Sequence, residues 1–375
     1  MSFHVHKTMH NALRYANLGT KNRIKDNVQR GTAGQDAWAI YEFPDEPVLA
    51  VIVADGHGQH GQIYSKLTIN KILDSLKEVS TDVAITKDYQ VGLLNDINTY
   101  LDTVPVCSIG GTTCSFVIIK KEDTKTKVYL SYVGDSPIYA KVDGIVQMLG
   151  GDDSWDHQEA VERYLTYCKT KQIIPKRVIY SRINALGGPD FTPWGIHGML
   201  PVYDYDMETC KVSLIHDNYL KVAKVGFPHG TQTLETYPTH KETHDTPWGV
   251  KEISIADPGY EDSGWGNSLE GGLQARTSLG DFIHGEHAPC DPVYREHTFE
   301  SMSIFSEPIQ IGVMSDGWDD FGSASQVMDL LDRTKGGDTI QIVSDHIRAI
   351  NPARHDEFVY GGEFKHDDVT AILVE

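Results

Sequence analysis

Acidic residues stand at the ends of apolar runs in this 375-residue chain. Asp55 closes VLAVIVA (Val48–Ala54), Asp316 closes IGVMS, Asp367 opens the last apolar stretch, and Asp36 precedes AWAIYEF (Ala37–Phe43). Three of them have a neighbour that permits a turn or a polar contact: Asp55-Gly56, Asp316-Gly317 and Asp367-Asp368. Carboxylates fixed at converging strand ends suit hard, oxygen-seeking cations such as Mg²⁺ or Mn²⁺. One Asp-Gly pair alone reads as an ordinary turn. Buried strands running into acids at several separate places favour a metal site.

The elements that would hold these acids can be read from periodicity. Ala37–Phe43, a Pro/Asp turn and Val48–Ala54 form a strand pair, the second strand apolar throughout and therefore buried. Ile63, Leu67, Ile69, Ile72, Leu73 and Leu76 recur at helical spacing between Gln62 and Val79, and a second helical pattern starts at Tyr89. Strands are expected over 112–120, 127–134 and 137–142, the first two joined by a hairpin at KEDTKT. SWDHQEAVERYLTYCK reads as a helix with Ser154 as its N-cap. From Gly187 to Gly272 the texture turns to Gly, Pro, Trp, Tyr and His, which reads as an irregular, partly β insertion. A strand over 309–315, helices over 323–332 and 338–350 and a final strand close the chain, while the first ~30 residues are part strand and part loop. This order predicts an α+β fold of two packed sheets flanked by helices, not a parallel doubly wound sheet. The expected organisation is one catalytic domain over 1–375, with 189–267 inserted.

VADGHGQHG, GGTTCSFVI, YVGDSPIYA, SLGD, VMSDGWDD and HDDVTAILVE occur in that order. Together they resemble the metal-dependent protein phosphatases of the 2C type, the PPM family, whose motifs run NED or NQD, DGHGG, GTT, GDSR, SRxLGD, SDGxWD and DNxT. The resemblance spans Arg30 to the C-terminus apart from the insertion, and implies a central β-sandwich of two antiparallel sheets flanked by helix pairs. By position it makes Asp55 the carboxylate bridging two metal ions, with the Gly56 carbonyl on one ion and Asp316 and Asp367 completing the other. Asp36 would hold metal-bound water, and Asp135 would help hold a weaker third ion. Two cations ~3.5–4 Å apart share a water, lower its pKa and aim it in line at phosphorus, so no cysteine or serine nucleophile is required. His57 matches the family's candidate general acid, which would protonate the leaving alkoxide.

Arg30 matches the phosphate-gripping arginine, set one residue further upstream than usual. Gln35 replaces a common Glu, and Asp368 a common Asn. Pro137 replaces the arginine of GDSR, and Arg276 is shifted by one from its motif register, with Thr277 in the expected position. The resemblance implies a Mg²⁺- or Mn²⁺-dependent serine/threonine phosphatase acting on phosphorylated proteins. Two other readings stay open. One is a pseudophosphatase binding module, which the missing arginines favour and the retained metal aspartates oppose. The other is a two-metal hydrolase of a small phosphoester.

Thirty-three basic against 53 acidic residues leave a formal charge of -20. Such a surface repels phosphate backbones and anionic lipid, so neither nucleic acid nor membrane is expected as a partner. Five cysteines without a CxxC pair argue against a disulfide framework and a cysteine-rich zinc site. No signal-like segment and no apolar run of ~18 residues is present, and a cytoplasmic or nucleocytoplasmic location is expected; oligomeric state is left open. His240 and His244 in HKETH have the spacing of helical zinc ligands, but prolines flank them and a surface loop is expected. Gly110-Gly111-Thr112-Thr113 lacks a P-loop lysine and is expected to pack near the metal site. In the family, the segment from the counterpart of Arg182–Gly188 to that of Leu279–Asp281 is a short flap. The longer, aromatic-rich insertion here is expected to cover the cleft and select the protein substrate.

Overall fold

The computed structural model describes residues 2–7, 14–19, 28–44, 46–58, 60–104, 110–154, 158–172, 178–179, 197–206, 209–224, 232–234, 239–246, 249–256, 268–269, 275–282, 288–300, 308–334, 345–346, 349 and 370–375. The chain divides into two compact units, one of residues 1–152 with 277–375 and the other of residues 153–276.

The first unit is built on two six-stranded antiparallel sheets. In one, Val48–Ala54 is central, pairing with Asp36–Glu42 on one side and Cys114–Lys121 on the other. Val28–Ala33 extends one edge, and Lys125–Val133 and Val293–Glu300 extend the other. The second sheet runs Ser2–Lys7, Arg14–Gly19, Ala371–Val374, Gln310–Met314, Ile138–Val142, Ile145–Gly150. Its first two strands lie where the sequence suggested only part strand.

The unbroken apolar run of Val48–Ala54 has a direct cause: both faces of that strand are covered. Leu49, Val51 and Val53 face the second sheet, meeting Ile138, Ile311, Val313 and Ile372. Ala50, Ile52 and Ala54 face helices, meeting Tyr64, Ile69, Ile72, Leu94 and Ile97. Each fully buried Leu, Ile or Val contributes about 1.5–3 kcal/mol relative to exposure. The covering helices are Gly61–Leu76 and Lys87–Asp102, close to the spans expected from spacing. The second is capped by Thr86, whose side-chain oxygen accepts from the Tyr89 N–H at 3.3 Å. On the outer face of the other sheet, Val327, Met328, Leu330 and Leu331 of the helix Ala324–Thr334 pack on Tyr139, Met314 and Leu373. Layers therefore run helix, sheet, sheet, helix, as expected. The helical pattern expected over 338–350 falls almost wholly outside the described residues.

The second unit holds most of the stretch read as an irregular, partly β insertion, and its described residues there are nearly all in strands. His197–Asp206 and Lys211–Lys224 make a long antiparallel hairpin, Gln232–Leu234 adds a strand, and Thr239–Thr246 pairs with Gly249–Ala256. The helix there is Gln158–Lys171; Ser154 is not its cap but bridges Ala275 across the base of the unit. His240 and His244 lie in a strand, where four residues span about 13 Å. They therefore cannot share one ion through their spacing alone. Asp153 and Arg276, the unit's two ends, are tied by a fully buried pair, Nε–Oδ1 2.6 Å and Nη2–Oδ2 2.9 Å. Arg163 adds a contact to the same carboxylate at 2.8 Å.

Candidate active site

Strand register in the first unit sets the acids in pairs at strand ends. Ala37 pairs with Ala54, so one step further Asp36 faces Asp55 across adjacent strand ends. On the far side of Asp55 lies Thr113, whose N–H donates to the Asp55 carbonyl at 2.8 Å; the Asp55 N–H donates to its hydroxyl at 3.2 Å. Thr112 adds a hydroxyl donor to the same carbonyl at 2.8 Å. Thus Gly110–Thr113 fastens the Asp55 backbone, the packing role expected for it.

Cys114 pairs with Val133, and the chain then crosses through Gly134–Pro137 into the second sheet, where Ile138 pairs with Val313. Extending that register past the paired residues sets Asp135 level with Asp316. The crossing is held by the Thr113 hydroxyl against the Ser136 hydroxyl, by Ser115 donating to the Ser136 carbonyl, and by the Gly134 N–H on the Thr277 hydroxyl at 2.9 Å. Thr277, which stands at the family's arginine position, is therefore a backbone anchor. Arg276 is spent on Asp153 within the other unit.

Asp36 is fully buried, and Asp55, Asp135 and Asp316 are partly so. Asp316 opens a 3-10 turn, Asp316–Phe321, directly after the strand that places it. Its Oδ1 is buried and meets no hydrogen-bond donor among the described residues. A buried carboxylate oxygen without a partner costs roughly 1–3 kcal/mol or more, and a divalent cation would satisfy it. Gly56 supplies a second feature of the same kind. A Cβ there would lie 2.4 Å from the Gly61 carbonyl oxygen and 2.6 Å from that of Gln35, so only glycine lets the backbone pass this close. Gln35 is itself fixed, donating to the Gly58 carbonyl at 2.9 Å and accepting from Ser65 at 2.6 Å. The residues present fit hard cations. Among the described residues no three His, Cys, Asp or Glu side chains close a ligand set; Asp367 lies outside them.

His57 follows on the short strand Gly56–His57, which pairs with Gly111–Thr112. Its Nε2 meets the Asp281 carboxylate, a contact that sequence reading did not find although SLGD was recognised as a motif. The only signal was an acid directly after Leu279-Gly280. Arg30 sits on Val28–Ala33 opposite Ala39, about 10 Å along the strand from Ala33, the partner of Asp36. Its Nη1 donates to Asn70 at 2.8 Å.

Thiol chemistry has no foothold in the described part of this unit. Burial holds the Cys114 thiol far above its ordinary range and pushes Cys290 up to about 12. Both stay protonated at neutral pH and are poor nucleophiles. Cys107 lies outside the described residues.

Comparison with known proteins then gives a family. The profile described as Protein phosphatase 2C matches residues 25–339, a span that stops short of Asp367. No curated protein sequence matches the chain. Among solved structures, serine-threonine phosphatase 2C from Toxoplasma gondii is similar over 100% of this chain and 98% of its own, at 12% identity and TM-score 0.49. The S. agalactiae serine/threonine phosphatase covers 96% and 98%, at 15% identity and TM-score 0.46. The Mycobacterium tuberculosis phosphatase PstP/Ppp covers 97% and 98%, at 15% identity and TM-score 0.42.

Proposed function

We propose, given that the chain belongs to the protein phosphatase 2C family, that it is a Mg²⁺- or Mn²⁺-dependent phosphatase acting on phosphoserine and phosphothreonine in proteins. The observation that carries this reading is the strand register, which sets Asp36 level with Asp55 and, extended past the paired residues, Asp135 level with Asp316, with His57 two residues beyond Asp55. Two divalent cations, with a weaker third, would neutralise phosphate charge and lower the pKa of the attacking water. Asp55, the Gly56 carbonyl, Asp316 and Asp367 would hold the two ions, Asp135 would help with the third, and Asp36 would act through an intervening water. Water oxygen bonds to phosphorus as the bond from phosphorus to the serine or threonine oxygen breaks. His57 gives that oxygen its proton, so the products are the free hydroxyl side chain and inorganic phosphate. Arg30 is assigned to the phosphate, once released from Asn70.

The charge of -20 supports a partner other than nucleic acid or anionic lipid, and among the described residues no helix is long and apolar enough to cross a membrane. We place the protein in the cytoplasm or nucleocytoplasm. The deciding experiment is turnover of a phosphothreonine peptide against small phosphoesters, with Mn²⁺ and with EDTA. Peptide hydrolysis that EDTA stops is the expected result. Turnover of small esters alone would point to a different hydrolase, and no metal-dependent turnover at all would leave a binding module.

The inserted segment is assigned to choosing the protein substrate. Replacing residues 189–267 by a short Gly/Ser linker is expected to keep aryl-phosphate turnover within about tenfold, under about 1.4 kcal/mol of barrier. Preference among phosphoproteins should change sharply. A folded deletion variant with unaltered preference removes the insertion from that role.

A further inference from the structure

We propose that Asp281 is a positioning residue that holds the His57 imidazole by Nε2 and leaves Nδ1 to face the leaving oxygen. The inference rests on the phosphatase reading above and adds a group that reading does not use. Three short strands make the arrangement: Gly56–His57, Gly111–Thr112 and Leu279–Gly280, with Gly111–Thr112 in the middle. Both His57 and Gly280 are paired with Gly111, so the residue after Gly280 arrives beside the imidazole. Asp281 Oδ2 meets His57 Nε2, and the Ser278 hydroxyl stands 3.4 Å from the same nitrogen.

The backbone is shaped for this contact. Gly280 and Asp281 both take positive φ, 93° and 50°, and Asp is among the few side chains that tolerate the left-handed region. The turn is pinned at both residues: the Gly280 N–H donates to Asn98 at 2.9 Å, and the Asp281 N–H donates to the Gly110 carbonyl at 3.0 Å. Gly111 leaves room for the side chains above it. A Cβ there would sit 2.4 Å from Asp281 Oδ2 and 2.6 Å from Ser278 Oγ. The Asp281 side chain is 5% exposed, whereas that of His57 is 28% exposed, so the acid is enclosed and the imidazole reaches solvent. A carboxylate on one ring nitrogen sets the orientation and tautomer of the other. The plainer alternative is an ion pair that only ties strands together, and it predicts equal loss on every substrate.

The test uses the full chain with Mn²⁺ and three substrates of rising leaving-group pKa: p-nitrophenyl phosphate, phenyl phosphate and a phosphothreonine peptide. Proton donation matters most for the poorest leaving group. Asp281→Asn, which keeps a residue tolerant of positive φ, is expected to lose about 30-fold more on the peptide than on p-nitrophenyl phosphate. His57→Gln should show the same pattern, and the double variant should be no worse than His57→Gln, because the two groups act as one. Gly111→Ala, which displaces the carboxylate without removing it, is the second variant and should share the pattern. If Asp281→Asn does not fold, Gly111→Ala decides. Equal losses across the three substrates in folded Asp281→Asn or Gly111→Ala, or additive losses in the double variant, overturn the inference. A steep pattern in His57→Gln with a flat one in Asp281→Asn sinks only the positioning role. A wild type that hydrolyses none of the three sinks the phosphatase reading, and the role of Asp281 with it.

Discussion

Asp55→Asn is expected to lower Mn²⁺-dependent hydrolysis of p-nitrophenyl phosphate by about a thousandfold, equivalent to about 4 kcal/mol of transition-state stabilisation. The fold should survive. Asp55 is fastened through its backbone, by two donors on its carbonyl and by its own N–H on Thr113, and none of these involves the carboxylate. Asn keeps the side-chain shape while removing the charge that would bind two ions at once. The measurement is kcat over a Mn²⁺ titration, beside a thermal melt of each variant. Near-normal kcat at saturating Mn²⁺ would falsify the bridging role. Asp135→Asn, at the residue assigned to a weaker third ion, should cost far less.

The largest stability effect is expected at Arg276. Arg276→Met should destabilise the second unit by about 3 kcal/mol, the low end for removing one partner of a buried ion pair. The low end applies because Arg163 remains on the Asp153 carboxylate at 2.8 Å. Both side chains of the broken pair are fully buried, so water cannot replace the lost donor. The pair also joins the first and last residues of the unit, so its loss leaves the base of a long excursion held by backbone contacts, the Arg276 N–H on the Asp153 carbonyl at 2.7 Å and the Ser154–Ala275 bridge. Four of the six tryptophans, Trp155, Trp194, Trp248 and Trp265, belong to this stretch, so denaturant unfolding followed by tryptophan fluorescence reports on it. A loss below about 0.5 kcal/mol, the range of ordinary surface changes, would show that the pair is not a clamp.

The two largest effects differ in how visible they were. Asp55 was legible because it ends a seven-residue apolar strand and precedes a glycine. Both features are local, and an unbroken apolar run signals burial on two faces. The sandwich and its covering helices were legible for the same reason: alternate residues of Val48–Ala54 feed two cores, and the helical runs carry their own period. The second unit was legible only as partly β, without its strand boundaries or pairings. Its hairpins mix Val, Leu and Ile with many Asp, Lys, Thr and His residues, and no strong period separates such strands from loops. Ser154 looked like a cap since Ser often precedes helices, but its bridge to Ala275, 121 positions later, took precedence.

Local chemistry in the sequence thus set which residues are acids at strand ends, which glycines the backbone needs, and which elements carry them. Strand ends are marked by neighbours one or two positions away, and that information is complete in a single pass along the chain. The tertiary structure decided the partners. Asp281 meets His57 from 224 positions away, and Arg276 meets Asp153 from 123 away. Arg276 and Thr277 are adjacent, yet the first locks one unit and the second anchors a turn in the other. Such pairings follow from sheet register and chain crossing. Those are settled by the joint burial of many apolar side chains, so no single stretch of residues encodes them.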